Sequence, residues 1–380
     1  VSYLQVIERA LWAAAKRQLP AGVLSHKRLA QAIRERSLLY TSERELLDAP
    51  PPAGGAADVA ARALFFSIAD AAKIRVPIAE LVNRGAFPSA ATVRVLDMGA
   101  GAGAMTLGLA AGVPRDRRLE VVAVDRDVAA LALLRGAVAE LPELWRANLD
   151  VSIVSADVRR WRPARPGFEL IVAGSVLNEM TTDAAFDTVC SWLDWLSDDG
   201  ALIIVEPALR DTARALQSLR DHIIEGGRGH VFAPCTRRAA PCPALADERD
   251  WCHEDRPIQL RGRTQQLVNA TGLRSHGLKF SYLVLRRQVA ALVDGDGDRV
   301  ALRVVSRPRK LKGRRECYVC GEHGRTVLRL LKRNRSAANR RLEAARRGDV
   351  VVAVARDDVL KDDLVDVVCP SENWDAEPES

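Results

Sequence analysis

Several groups of residues in this 380-residue chain have types and spacings that can do chemistry. The first is a glycine-rich turn, Asp97-Met98-Gly99-Ala100-Gly101-Ala102-Gly103, entered from the apolar run 93–96 and left by an apolar helix over 104–111. Glycine reaches positive φ without a Cβ penalty, so the turn can bring backbone N–H groups against a ligand. The helix that follows adds the positive end of its dipole. The spacing Gly99-x-Gly101-x-Gly103 departs from the dinucleotide fingerprint G-x-G-x-x-G. A second apolar run, 119–125, ends in Asp125, where an acid can grip the two hydroxyls of a nucleoside ribose. Asp157 follows a third run, 151–155, as an adenine contact or a helix cap. Asn178 and Glu179 come after a fourth run, 168–173, and offer an amide and a carboxylate for acid–base work, or simply a polar helix start.

The cysteines form another group. Five of the seven fall within 86 residues: Cys235, Cys242, Cys252, Cys317 and Cys320. In a reducing compartment, clustered thiols bind metal more often than they form disulfides. The first three are separated by six and nine residues, which is not a zinc-finger or ribbon spacing. Four thiolates around an iron–sulfur cluster fit this pattern, with Cys317 or Cys320 as the fourth ligand. Zinc is the alternative, with His230, His253 or His323 able to contribute. Cys190, in an apolar helical stretch, and Cys369, near the acidic end, read as ordinary thiols.

Charge supplies a third clue. The net charge of +7 conceals a segment, residues 256–347, with 24 Lys/Arg against 6 Asp/Glu, while residues 348–380 carry 2 against 10. Such a basic stretch calls for a polyanionic partner, and its arginine bias suits bidentate phosphate contacts. Arg303, Arg307, Arg309, Lys310, Lys312, Arg314 and Arg315 are the candidate nucleic-acid contacts, along one edge of a small β-rich unit of oligonucleotide-binding type. Only Tyr318 is near for base stacking, which favours backbone and shape contacts. No apolar run approaches the roughly 18 residues that span a bilayer, so no membrane partner is expected. Residues 1–19 carry Glu8, Lys16 and Arg17 with no small-residue cleavage site; the expected setting is the cytoplasm and the expected state a monomer.

The elements that must position these residues follow from periodicity. Residues 1–90 read as helical, with a break at 50–55 and an interruption at Pro77. Residues 91–225 read as five strand–helix units, a doubly wound α/β sheet whose ligand crevice lies at the strand C-termini. Residues 226–255 form a cysteine-rich insert, 256–290 return to the sheet through a strand over 281–287, 291–370 are basic and β-rich, and 371–380 are an acidic tail.

The acid and glycine loop resemble motif I of class I S-adenosylmethionine-dependent methyltransferases, which implies that Asp97, Gly99, Gly101, Gly103, Asp125 and Asp157 hold that cofactor. The end of the fourth strand lacks the Asn/Asp-Pro-Pro-aromatic loop of base amino-methylation and a cysteine nucleophile for cytosine C5 chemistry. The segments Gly229-His230-Val231-Phe232-Ala233-Pro234-Cys235, Pro241-Cys242-Pro243, Asp250-Trp251-Cys252-His253 and Lys279-Phe280-Ser281-Tyr282-Leu283 resemble the signature of methyltransferase-like small-ribosomal-subunit assembly proteins. This resemblance implies a class I methyltransferase (Rossmann-like) fold, a [4Fe–4S] cluster on Cys235, Cys242, Cys252 and Cys320, and association with small-subunit rRNA during assembly. Such a protein could methylate rRNA or could have kept only the fold and cofactor site. The competing expectation is an active RNA or small-molecule methyltransferase with a structural zinc.

Overall fold

The computed structural model describes residues 2–41, 55–274, 277–289, 299–337, 339–354, 359–360 and 366–368. The expected acidic tail at 371–380, Cys369, and positions 50–54 of the expected break lie outside them.

Eight strands build the first sheet: β1 (Thr92–Met98), β2 (Arg118–Asp125), β3 (Leu149–Ser155), β4 (Phe168–Gly174), β5 (Leu196–Pro207), β6 (His230–Ala233), β7 (Glu254–Arg256) and β8 (Leu278–Arg286). Their order is β3-β2-β1-β4-β5-β8-β6, with β7 also paired to β8. β3, β2, β1, β4 and β5 run parallel and β8 runs antiparallel to β5. This is the doubly wound α/β sheet expected for a class I methyltransferase. The central strands β1, β4 and β5 are largely buried on both faces because helices cover both, whereas the edge strand β3 keeps Asp150, Ser152 and Ser155 exposed. In β1, Val93 and Val95 join one core layer while Leu96 and Met98 join the other, the period-2 alternation of a strand buried on both sides. Chain order reverses between β1 and β4, which leaves a crevice at their C-terminal ends.

The N-terminal helices Tyr3–Gln18, His26–Thr41 and Gly55–Ala61 pack on the first of these layers, leading into a π-helical stretch, Arg62–Ser67. The expected interruption at Pro77 falls elsewhere. The chain turns at 71–74, and Pro77 sits in the first turn of helix Arg75–Asn83, where its missing N–H has no intrahelical partner to lose.

The basic segment folds as a second sheet: β9 (Arg299–Val304), β10 (Arg309–Leu311), β11 (Arg314–Gly321), β12 (Gly324–Leu331), β13 (Val350–Val354), β14 (Val359–Leu360) and β15 (Asp366–Val368). The order is β14-β12-β11-β9-β13-β15, with β10 on β11. One face carries its own core, including Leu302, Val304, Cys317, Val319 and Leu328. On the other face Val350 and Val352 join the core of the first sheet, so the two sheets share apolar packing. Among the described residues no helix is long and apolar enough to cross a membrane.

Candidate functional site

The glycine loop sits at the switch point. Gly99, Gly101 and Gly103 adopt φ of +76°, +51° and +89°, a region that side chains avoid. Two of the three also serve packing: an added Cβ would lie 2.3 Å from Val176 Cγ2 at Gly99 and 2.3 Å from Leu134 Cδ1 at Gly103. At Gly101 the nearest heavy atom would be Asp125 Oδ2 at 4.0 Å, so this position faces open space.

The three candidate acids stand near the C-terminal ends of adjacent strands. Asp97 is fully buried, and its Oδ2 accepts hydrogen bonds from Thr106 N–H (3.1 Å) and Thr106 Oγ1 (2.6 Å), capping helix Ala104–Gly112 from outside. Its Oδ1 has no hydrogen-bond partner, and burial pushes the carboxyl up to about 7. Asp125 accepts from Gly101 N–H (2.8 Å) and Asp127 N–H (2.8 Å), so it fixes the loop it is expected to serve. Asp157 is gripped by the Arg159 guanidinium, whose side-chain hydrogen bond holds the carboxyl below its ordinary range, and also accepts from Arg159 N–H at 2.9 Å. It is therefore a turn cap within reach of β2, since Ala156 N–H donates to Asp125 O at 3.0 Å.

Sequence reasoning missed Arg62 and Asp127. Asp127 caps helix Val128–Glu140 through Ala130 N–H (3.0 Å) and pairs with Arg62, which also binds Asp58 at 3.0 Å. This is how the N-terminal helices reach the crevice. Across it, Ser175 takes φ +60°, a costly conformation for a non-glycine residue, immediately after β4. Glu206 Oε1 fixes the next turn by accepting from Val176 N–H (3.1 Å) and Leu177 N–H (2.9 Å). Asn178 and Glu179 lie in the short 3₁₀ turn Leu177–Glu179, and Glu179 is 3.7 Å from Arg126 in an ion pair.

The cysteine loop is hung from one strand. β6 pairs with the 284–286 end of β8 and β7 with its 278–280 end, so the loop leaves and rejoins the same edge. Helix Arg210–Glu225 organises it. Arg214 donates to the carbonyls of Ala244 (2.9 Å), Leu245 (3.2 Å), Asp247 (2.7 Å) and Asp250 (2.8 Å). Arg220 donates to Ala240 O at 2.8 Å, and Asp221 accepts from Cys242 N–H at 2.9 Å. Sequence reasoning missed all three, because their only local signal is a polar face on an amphipathic helix.

Cys235, Cys252 and Cys320 line one pocket, and Thr236 Oγ1 donates to Cys320 O at 3.0 Å. Burial pushes the Cys242 thiol up to about 12 and Cys320 to about 11, and raises Cys235 and Cys252; charge on Cys235 adds to the rise at Cys242, Cys252 and Cys320. The four thiols therefore feel one another, and a cation among them would reverse the shift. Cys320 lies within β11, and the period of two sends Cys317 to the opposite face, into the second sheet's core. Among the described residues no three His, Cys, Asp or Glu side chains are placed to hold a metal ion as they stand. His230 and His323 are exposed; His253 stacks on Trp251, and its Nδ1 has no hydrogen-bond partner.

The basic candidates divide. Arg303 is a correction: it is buried, not on an exposed edge. Its guanidinium makes a bidentate pair with fully buried Glu80 (2.8 and 3.0 Å) and donates to Pro234 O (2.6 Å) and Gly348 O (2.5 Å). Tyr282 OH donates to the same Glu80 at 2.5 Å. One buried network thus joins the N-terminal helices, β8, the residue before Cys235 and the second sheet. Arg307, Arg309, Lys310, Lys312 and Arg314 are exposed and Arg315 is half-buried beside Glu343.

Residues 61–352 match the family described as mitochondrial small ribosomal subunit Rsm22. No curated protein sequence matches the chain. Among solved structures, the plantazolicin methyltransferase BpumL in complex with SAH is similar over 68% of this chain and 99% of its own, at 11% identity and a TM-score of 0.39. Magnesium protoporphyrin IX methyltransferase from Synechocystis PCC 6803 with bound SAM is similar over 68% of this chain and 97% of its own, at 12% identity and a TM-score of 0.37.

Proposed function

Because the chain belongs to the mitochondrial small ribosomal subunit Rsm22 family, we propose that it is a methyltransferase-like assembly factor. In this reading it binds S-adenosylmethionine and an iron–sulfur cluster, and contacts small-subunit rRNA. The cofactor would lie over Gly101, with the ribose at Asp125 and the adenine toward Asp157; when bound it supplies an electrophilic methyl group. The chain's own part is to hold the loop, through the hydrogen bonds Asp125 makes to Gly101 and Asp127. The setting is the cytoplasm.

The observation that carries this reading is the meeting of thiols from two distant segments, Cys235 and Cys252 of the loop and Cys320 of β11, at one pocket with Cys242 within electrostatic reach. One zinc ion would need its four donors drawn into a single tetrahedron at about 2.3 Å from the metal. Four thiols gathered from one loop and a distant strand are the donor set of a polynuclear centre, and Cys235, Cys242, Cys252 and Cys320 would hold it.

The test is iron and acid-labile sulfide content of anaerobically purified protein beside Cys242→Ser. About four of each per chain, lost in the variant, supports the cluster. One zinc and no sulfide refutes it and favours the second reading, an active methyltransferase with a structural zinc. That reading draws on the strained Ser175 backbone next to Asn178 and Glu179. Transfer of labelled methyl to small-subunit RNA decides it. Titration calorimetry with S-adenosylhomocysteine tests the cofactor site; no heat at millimolar ligand would remove it.

A further inference from the structure

Alternate residues of β11, Arg314, Glu316, Tyr318 and Cys320, share one face. Across β12 their register partners are Leu331, Arg329, Val327 and Arg325, and β10 sets Leu311 and Arg309 opposite Arg314 and Glu316. The Cys320 end of this face is turned to the cysteine pocket. Beyond it the face opens, and Tyr318 (43% exposed) and Leu311 (37%) are two of the large apolar side chains left in solvent. Beside them Glu316 is buried, with Arg309 at 2.8 Å, Arg314 at 3.1 Å and Arg329 at 3.6 Å. Against the cost of burial, these guanidiniums hold its carboxyl below the ordinary range. Three cations around one anion leave two positive charges, and the shared partner limits where their forks can point. Tyr318 is equally constrained in its backbone: its N–H donates to Ser306 Oγ at 2.9 Å and its carbonyl accepts from Val305 N–H at 2.9 Å.

An exposed ring on a rigid strand, flanked by pre-oriented guanidiniums, is what an unpaired nucleotide needs. A base has a free face for stacking only when it is out of a helix, and the backbone on either side brings the phosphates. Duplex RNA would engage the arginines and leave the ring unused. We propose that this face binds an unpaired stretch of RNA, with Tyr318 stacking on one base and Arg309, Arg314 and Arg329 holding the adjoining phosphates. The proposal rests on the RNA-binding part of the function proposed above.

The experiment is fluorescence anisotropy on the full chain with a labelled unstructured oligoribonucleotide and, separately, a labelled hairpin duplex. Tyr318→Ala should weaken the unpaired RNA by about tenfold to a hundredfold and the duplex by less than about twofold, while Tyr318→Phe keeps wild-type binding. Arg329→Gln should lower affinity for both and reduce the salt slope by about one. Wild-type binding of the unpaired RNA that Tyr318→Ala leaves unchanged overturns the stacking site while RNA binding stands. Absence of binding by the wild type to either RNA overturns both the site and the RNA-binding reading.

Discussion

Replacing Arg303 by methionine tests the buried network that joins four parts of the chain. In the native protein the guanidinium and the Glu80 carboxylate are both buried and meet in a two-point contact. Methionine keeps much of the volume and removes the charge. Glu80 would then be a buried anion with, among the described residues, only the Tyr282 hydroxyl to answer it, and the Pro234 and Gly348 carbonyls would each lose a donor. Removing one partner of such a pair costs about 3–5 kcal/mol, and each orphaned carbonyl adds roughly 1 kcal/mol or more. The expected destabilisation is therefore about 5 kcal/mol or more. The double variant Glu80→Gln/Arg303→Met removes the stranded charge and should recover part of the loss. The assay is urea denaturation read by tryptophan fluorescence and by far-ultraviolet circular dichroism, because two sheets need not unfold together. A single variant whose midpoint matches wild type, or a double variant no better than the single, would refute the reasoning. Since Pro234 precedes Cys235, iron content should fall in the single variant as well.

Gly99→Ala and Gly101→Ala should separate folding from binding. The first drives a Cβ into Val176 and should cost about 2 kcal/mol or more in thermal unfolding; the second meets open space, should cost about 1 kcal/mol, and should lose S-adenosylhomocysteine affinity in calorimetry. The Asp97 carboxyl is raised in the fold to about 7, so the native state binds its proton more tightly than the unfolded chain does. Its contribution to stability is present at low pH and lost as pH rises from about 4 to 7. Asp97→Asn should flatten that loss, a gain of up to about 4 kcal/mol above pH 7, seen in denaturation curves across that window. Arg214→Ala touches no thiol yet frees four loop carbonyls, and should weaken metal retention against a chelator by about 10- to 100-fold.

The parallel sheet was legible because most of its strands are apolar runs with their own punctuation, and β3 keeps the apolar alternation of an edge strand. The expected 119–125, 151–155 and 168–173 lie within β2, β3 and β4, and the expected 281–287 overlaps β8. The placement of Asp97 and Asp125 at strand ends and of the three glycines in the turn was legible for the same reason, since these residues close the runs. Arg303 was not. Its partner, Glu80, is 223 residues away, and inside a basic segment an arginine with a buried partner looks like its solvated neighbours. β11 was also hidden, because Arg314, Arg315 and Glu316 mask the alternation that sorts Cys317 from Cys320. The supports of the cysteine loop, Arg214, Arg220 and Asp221, act mainly through backbone carbonyls and N–H groups, which carry no side-chain signature in any sequence.

The attachment of the cysteine loop to both ends of β8 has a consequence for the newly made chain. β8 is buried except at Lys279, and among the described residues only the short strands β6 and β7, with Ser281 Oγ donating to Cys252 O at 2.9 Å between them, occupy its outer edge. Until the loop closes, that edge offers a row of unpaired backbone groups in an apolar strand, the template on which copies of a chain zip together. Closure of the loop is thus a safeguard against self-association. A chain that fails to fold its cysteine segment should be lost first to aggregation, before any loss of ligand binding could be measured.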